Sequence, residues 1–87
     1  MATVHLFATL RPLAGGNSTV QAEGSTLRDV VLDLERQFPA LRGRIIDDGG
    51  VRPEIFLAVG STEAFGLSDA VDDDSEIHVL AAIAGGS

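Results

Sequence analysis

Val4, Leu6 and Ala8 alternate with Thr3, His5 and Phe7, the period of two that a strand shows when one face is buried. This predicts a first strand over residues 2–9. Gly15, Gly16 and Asn17 tolerate positive φ, and an extended composition resumes over Ser18 to Ala22, so the two segments read as a hairpin. The period then changes. Leu27, Val30, Val31, Leu34 and Phe38 draw a single apolar stripe along a helix of about 12 residues, roughly 18 Å long. Thr26 with Asp29 resembles a capping box with Asp in place of Glu, and Ser25 is the competing cap. Pro39 ends the run, because the residue before a proline is driven out of the α region.

Further on, Leu41 to Ile46 predicts a short second helix, and Asp47, Asp48, Gly49 and Gly50 a turn. Ile55, Leu57 and Val59 alternate with Phe56 and Ala58 in a strand that Gly60 terminates. Residues 62–75 read as irregular, with Leu67 as an inward anchor. Ile77, Val79 and Ala81 alternate with His78 and Leu80 in a last strand. This order predicts an α+β fold, a sheet with one helix on one face, in which the first and last strands are parallel if they are neighbours. Val4, Leu6, Ile55, Leu57, Val59, Ile77 and Val79 then meet the helix stripe. The opposite face carries His5, Phe7, Phe56, His78 and Leu80 and has no helix to cover it. Such a patch signals a partner, unless residues 60–75 fold over it.

Composition narrows the function. With 87 residues the chain is one domain, and a fold of this size hides only roughly 60% of its unfolded surface, so a deep substrate cleft would compete with the core. A self-contained enzyme is not expected. Cys is absent, which removes disulfides, thiolate metal ligands and a thiol nucleophile. A net charge of −7 disfavours nucleic acid and anionic lipid as partners. All six basic residues are arginines, so no side chain offers an amine for a Schiff base or an isopeptide bond. Residues 1–11 lack a cationic leader, and the apolar run Ile77 to Ala84 is too short to span a bilayer. A cytoplasmic protein is expected.

Few constellations carry chemistry. His5 and His78 fall on neighbouring strands and one face, but with no Cys and no obvious carboxylate there, contact with a partner or solvent is expected rather than metal. Asp72, Asp73 and Asp74 lack the ligand spacing of a calcium loop and read as a solvated turn. Nothing in the sequence places a Ser near a His with an orienting acid, and no nucleophile elbow is present.

What remains is the end of the chain. Residues 82–87 carry no bulky polar side chain and reach about 20 Å when extended, far enough to enter a narrow channel in another protein. This divides the chain into a domain over 1–82 and a tail over 83–87. From end to end the sequence resembles the ubiquitin-like sulfur carriers of the ThiS and MoaD family, in its MoaD and CysO branch. The matching features are HLFATLRPLAGG, STLRDVVLDLERQFP, DDDSEIHVL and above all LAAIAGG, in which Ala81 stands where CysO-like members carry Pro.

The resemblance implies a β-grasp fold with a mixed sheet of four to five strands. It also implies that Gly86 is the reactive residue, adenylated by an ATP-dependent ubiquitin-activating-type enzyme and converted to a thiocarboxylate, with Gly85, Ala84 and Ile83 as the threading tail. ATP and Mg²⁺ belong to that enzyme, and this chain binds no cofactor or metal of its own. A sulfurtransferase or sulfur-accepting synthase is the further partner. Phe7 matches the sheet-face aromatic that family members place against partner enzymes, in agreement with the patch that also holds Phe56, His78 and Leu80. Ser87 departs from the pattern, since the carboxylate then sits one residue too far along. Some relatives have such extensions trimmed by a zinc metalloprotease of the JAMM type, and the same removal is expected here; the alternatives are a residue added in cloning and a carrier that has lost its chemistry. A ubiquitin-like modifier joined through Gly86 and an unreactive interaction module are the competing readings.

Overall fold

The computed structural model describes residues 1–7, 10–64 and 66–81. β1 (Ala2–Leu6) buries Ala2, Val4 and Leu6 and turns Thr3 and His5 to the other face, as its alternation requires. It stops at Leu6, short of the expected residue 9, although the Phe7 amide still donates to the Val79 carbonyl at 3.2 Å. Ala8, expected to point inward, lies outside the described residues. A 3-10 turn at Pro12–Ala14 follows, and Gly15 and Gly16, at φ of 66° and 85°, reverse the chain into β2 (Thr19–Ala22). β2 pairs with β1 antiparallel, the expected hairpin.

α1 (Leu27–Gln37) begins where Thr26 accepts a bond from the Asp29 amide at 3.3 Å, and Ser25 instead donates to the Asp29 carboxylate. Leu27, Val30, Val31 and Leu34 are fully buried, while Phe38 is half-buried and caps the helix from outside it. Pro39 then opens a single 3-10 turn, Pro39–Leu41. The expected helix over 41–46 is absent. Gly43 takes φ of 75°, and Ile46 belongs instead to β3 (Ile46–Asp47), paired with β4 (Gly50–Val51) around Asp48 and Gly49 at φ of 57° and 83°. The strong turn dipeptide overrides a weak helical pattern.

β5 (Ile55–Val59) and β7 (Glu76–Ala81) match their predicted alternation, and β6 (Thr62–Glu63) adds a short hairpin arm within the stretch expected to be irregular. The sheet order is β2-β1-β7-β5-β6, with β1 and β7 parallel and the other pairs antiparallel. Leu67 is buried as expected. The segment around it runs past the start of α1: Leu67 and Asp69 carbonyls accept from the Arg28 and Leu27 amides at 2.9 and 3.0 Å, and the Val71 amide donates to Ser25 at 3.0 Å. Residues 67–71 therefore satisfy the orphan donors of the helix end rather than covering the open face of the sheet. No described helix is long and apolar enough to cross a membrane.

Candidate functional site: the open sheet face

The register assembles the open face in rows. His5 stands beside Thr19 on one side and His78 on the other, and His78 beside Ala58. The His5 and His78 rings stack at 4.7 Å between centroids, with 12° between planes. One step toward the C-terminal end of β7, Leu80 pairs with Phe56, and Phe7 follows Leu6, the partner of Val79. The Phe7 ring lies 6.1 Å from that of His78. Phe56 and Leu80 are 45% and 38% exposed, more than ordinary packing leaves open for side chains of this size. Phe7, Phe56, His78 and Leu80 thus share one surface, as the alternation predicts. Ile83, Ala84, Gly85, Gly86 and Ser87 lie outside the described residues.

Two charged side chains complete the face, and neither is apparent from the strand pattern. Glu76 sets its Oε1 2.8 Å from His5 Nε2, which corrects the expectation that the histidine face holds no carboxylate. Glu76 belongs to β7, one residue before the predicted start of that strand, and shares the parity of His78 and Leu80. Arg11 donates through Nε to the Leu6 carbonyl at 3.0 Å and lays its guanidinium carbon 5.9 Å from the Phe7 centroid, within cation–π range. A continuous line of contacts results: Glu76, His5, His78, Phe7, Arg11. Among the described residues no group of three or more His, Asp or Glu side chains is arranged to hold a metal ion.

The remaining polar features are structural. Asp72 Oδ1 accepts from the Asp74 amide and the Ser75 hydroxyl at 3.0 and 3.1 Å, forming an Asx turn at the surface before β7. A 520 Å³ depression lies on the helix side, lined in part by Glu23, Asp29, Asp33 and Arg36. Asp33, only 7% exposed, accepts from the Glu23 amide at 2.9 Å and from Gln37 at 3.0 Å, and Arg36 pairs with it. These partners, the backbone amide foremost, hold its carboxyl below the ordinary value despite burial.

A mixed five-stranded sheet with a central parallel pair, crossed on one face by a single helix, defines a ubiquitin-like β-grasp domain. Residues 4–86 match the ThiS family, and the chain belongs to that family. It is 32% identical over 88 residues to small archaeal modifier protein 3 of Haloferax volcanii, covering 95% of this chain and 96% of that protein. It is also 32% identical over 90 residues to sulfur carrier protein CysO of Mycobacterium tuberculosis, covering 97% of each. Among solved structures, it superposes with a TM-score of 0.91 on a chain of the Amycolatopsis orientalis BexX/CysO complex, at 27% identity and covering 99% of this chain and 100% of that one. With Mycobacterium tuberculosis CysO the TM-score is 0.87, at 29% identity and 95% and 100% coverage.

Proposed function

We propose that this chain is a sulfur carrier, a protein co-substrate rather than an enzyme, whose working atom is the carbonyl carbon of Gly86. The observation that carries this reading is Ala84, Gly85 and Gly86 following closely on β7, inside a family match that runs to Gly86 and leaves out Ser87. Hydrolysis of the Gly86–Ser87 bond, by a metalloprotease of the JAMM type, exposes the Gly86 carboxylate. A carboxylate is a poor electrophile. In the active site of a ubiquitin-activating-type adenylyltransferase, which holds ATP and Mg²⁺, it attacks the α-phosphorus and expels pyrophosphate. The terminal sulfur of a sulfurtransferase persulfide then attacks the acyl adenylate and expels AMP, and a thiol cleaves the resulting acyl disulfide, leaving the carrier thiocarboxylate and a disulfide. Glycine places no side chain in the way of either step and has no stereocentre to lose. The sulfur passes to a synthase making cysteine, molybdopterin, thiamin or a sulfur-containing natural product.

The open sheet face is the address by which these cytoplasmic enzymes recognise the carrier. Intact-mass spectrometry of the protein from its own host tests the proposal: loss of Ser87 together with exchange of one oxygen for sulfur is expected. A chain that keeps Ser87 and stays unmodified while sulfur transfer proceeds overturns it and leaves an interaction module. The similarity to an archaeal modifier protein favours a second reading, in which the activated Gly86 carbonyl is captured by an amine of another protein. Covalent adducts of higher mass mark that outcome.

A further inference from the structure

Among the described residues, Arg11 is the arginine that lies against the open sheet face. Arg28 and Arg36 belong to α1 on the opposite layer, and Arg42, Arg44 and Arg52 to the segment between α1 and β5. Arg11 is held from two directions, by the bond from its Nε to the Leu6 carbonyl and by the Phe7 ring beneath its guanidinium. The described residues form no ion pair with it. Its two terminal amino groups, the pair that grips a carboxylate in fork geometry, are therefore not used by any described carboxylate. Much of the rotamer entropy that an arginine loses on pairing has already been lost in the free protein.

The surrounding charge gives this cation its meaning. The chain carries −7, so its general field draws basic surfaces, whichever way round they approach. One oriented cation beside the apolar row breaks that symmetry. We infer that Arg11 is a specificity-determining docking residue: it pairs with an Asp or Glu carboxylate on the rim of the partner pocket that receives Phe7 and Leu80. The partner face is accordingly apolar at its centre, basic around it, and acidic at one point. Docked in register, that carboxylate meets Arg11; turned around, it faces the carrier's own acidic surface. The inference rests on the carrier reading for the identity of the partner, the adenylyltransferase.

The composition supplies a direct test. The chain has no lysine, so Arg11→Lys introduces its only side-chain amine. Carbodiimide treatment of that variant, cut after Gly86 and mixed with the host adenylyltransferase, activates the enzyme's carboxylates, and the amine displaces the urea to form an amide. Peptide mass spectrometry is expected to place this amide on one Asp or Glu at the rim of an apolar pocket. In parallel, Arg11→Glu is expected to raise the KM for the carrier by about tenfold or more with kcat nearly unchanged, and the difference narrows at high ionic strength. Arg11→Gln, which introduces no new charge, follows with a smaller rise and covers the case in which Arg11→Glu fails to fold. Variants that keep the wild-type KM, or an amine that joins no enzyme carboxylate, overturn the docking assignment while the wild-type chain cut after Gly86 is still adenylated. A wild-type chain cut after Gly86 that is not adenylated overturns the carrier reading itself.

Discussion

Replacing Asp33 by Asn exchanges one carboxylate oxygen for an NH2 group in a place where the fold relies on charge. Asp33 is buried at the edge of the α1 stripe, and its Oδ2 collects the Glu23 amide and the Gln37 side chain while its Oδ1 pairs with Arg36. Hydrogen bonds to a charged acceptor contribute about 1.5–3 kcal/mol each, against about 1 kcal/mol for neutral ones. Asn keeps one oxygen: placed at the Oδ2 position it makes both of those bonds neutral and turns its NH2 toward Arg36, itself a donor, and placed at Oδ1 it loses both. The exposed Arg36 adds little to the cost. The net loss is about 2–3 kcal/mol, which for a domain of this length lowers Tm by about 10–20 °C. Thermal unfolding followed by circular dichroism at pH 7 measures it. The pH dependence supplies an independent check. The folded carboxyl titrates below its ordinary value of 3.8, so its contribution is present above that value and is lost as the pH falls through the lower, folded one. The gap between wild type and Asp33→Asn must close in acid. A variant within about 0.5 kcal/mol of wild type at pH 7, or a gap that persists at low pH, refutes the reasoning.

Three further outcomes follow from the same geometry. A Cβ on Gly24 would lie 2.6 Å from the Val30 amide nitrogen and 2.7 Å from Asp29 Cβ, so Gly24→Ala is expected to cost about 1–3 kcal/mol, read as a lower urea midpoint at unchanged slope. Phe7→Ala truncates the ring at the centre of the open face and is expected to weaken adenylyltransferase binding by about 2 kcal/mol, roughly thirtyfold in Kd by calorimetry. Deleting Gly86 from the chain cut at that residue is expected to abolish pyrophosphate release on mixing with ATP and the enzyme, with Tm unchanged.

The parts of this protein that were legible in its sequence are those where one physical period dominates a run of residues. The α1 stripe from Leu27 to Leu34 and the alternation in β1, β5 and β7 are of this kind, and they place the core and the open face together. β3, β4 and β6 are two residues each, too short to show any period, and only the turns between them carry a signal. Glu76 was missed for a related reason: beginning β7 one residue late removes from the histidine face its own carboxylate. Arg11 lies past the end of β1, and only the fold of the Pro12–Ala14 turn returns its side chain to Phe7. Asp33 carried one local signal, a carboxylate beside the apolar stripe with Gln37 four residues later on the same side of the helix.

On the carrier reading, the open face is joined to the sequence leading to Gly86 through β7, and that makes docking and chemistry a single problem. β7 sits between β1 and β5 and is bonded to both, so its position is fixed from two sides. Leu80 contributes its side chain to the open face, and the next residue, Ala81, is still in register with Ile55. From Ala81 to Gly86 the chain advances five residues, at most about 17 Å. A partner that grips Phe7, Phe56 and Leu80 has thereby fixed the origin of that reach, and its nucleotide site must lie within it. Holding the two reactants together converts an encounter between separate molecules into one confined to a small volume, which raises the effective concentration of the carboxyl group without any catalytic side chain on the carrier. On the carrier reading, a domain too small for a cleft contributes by geometry, setting where one carbonyl carbon is delivered.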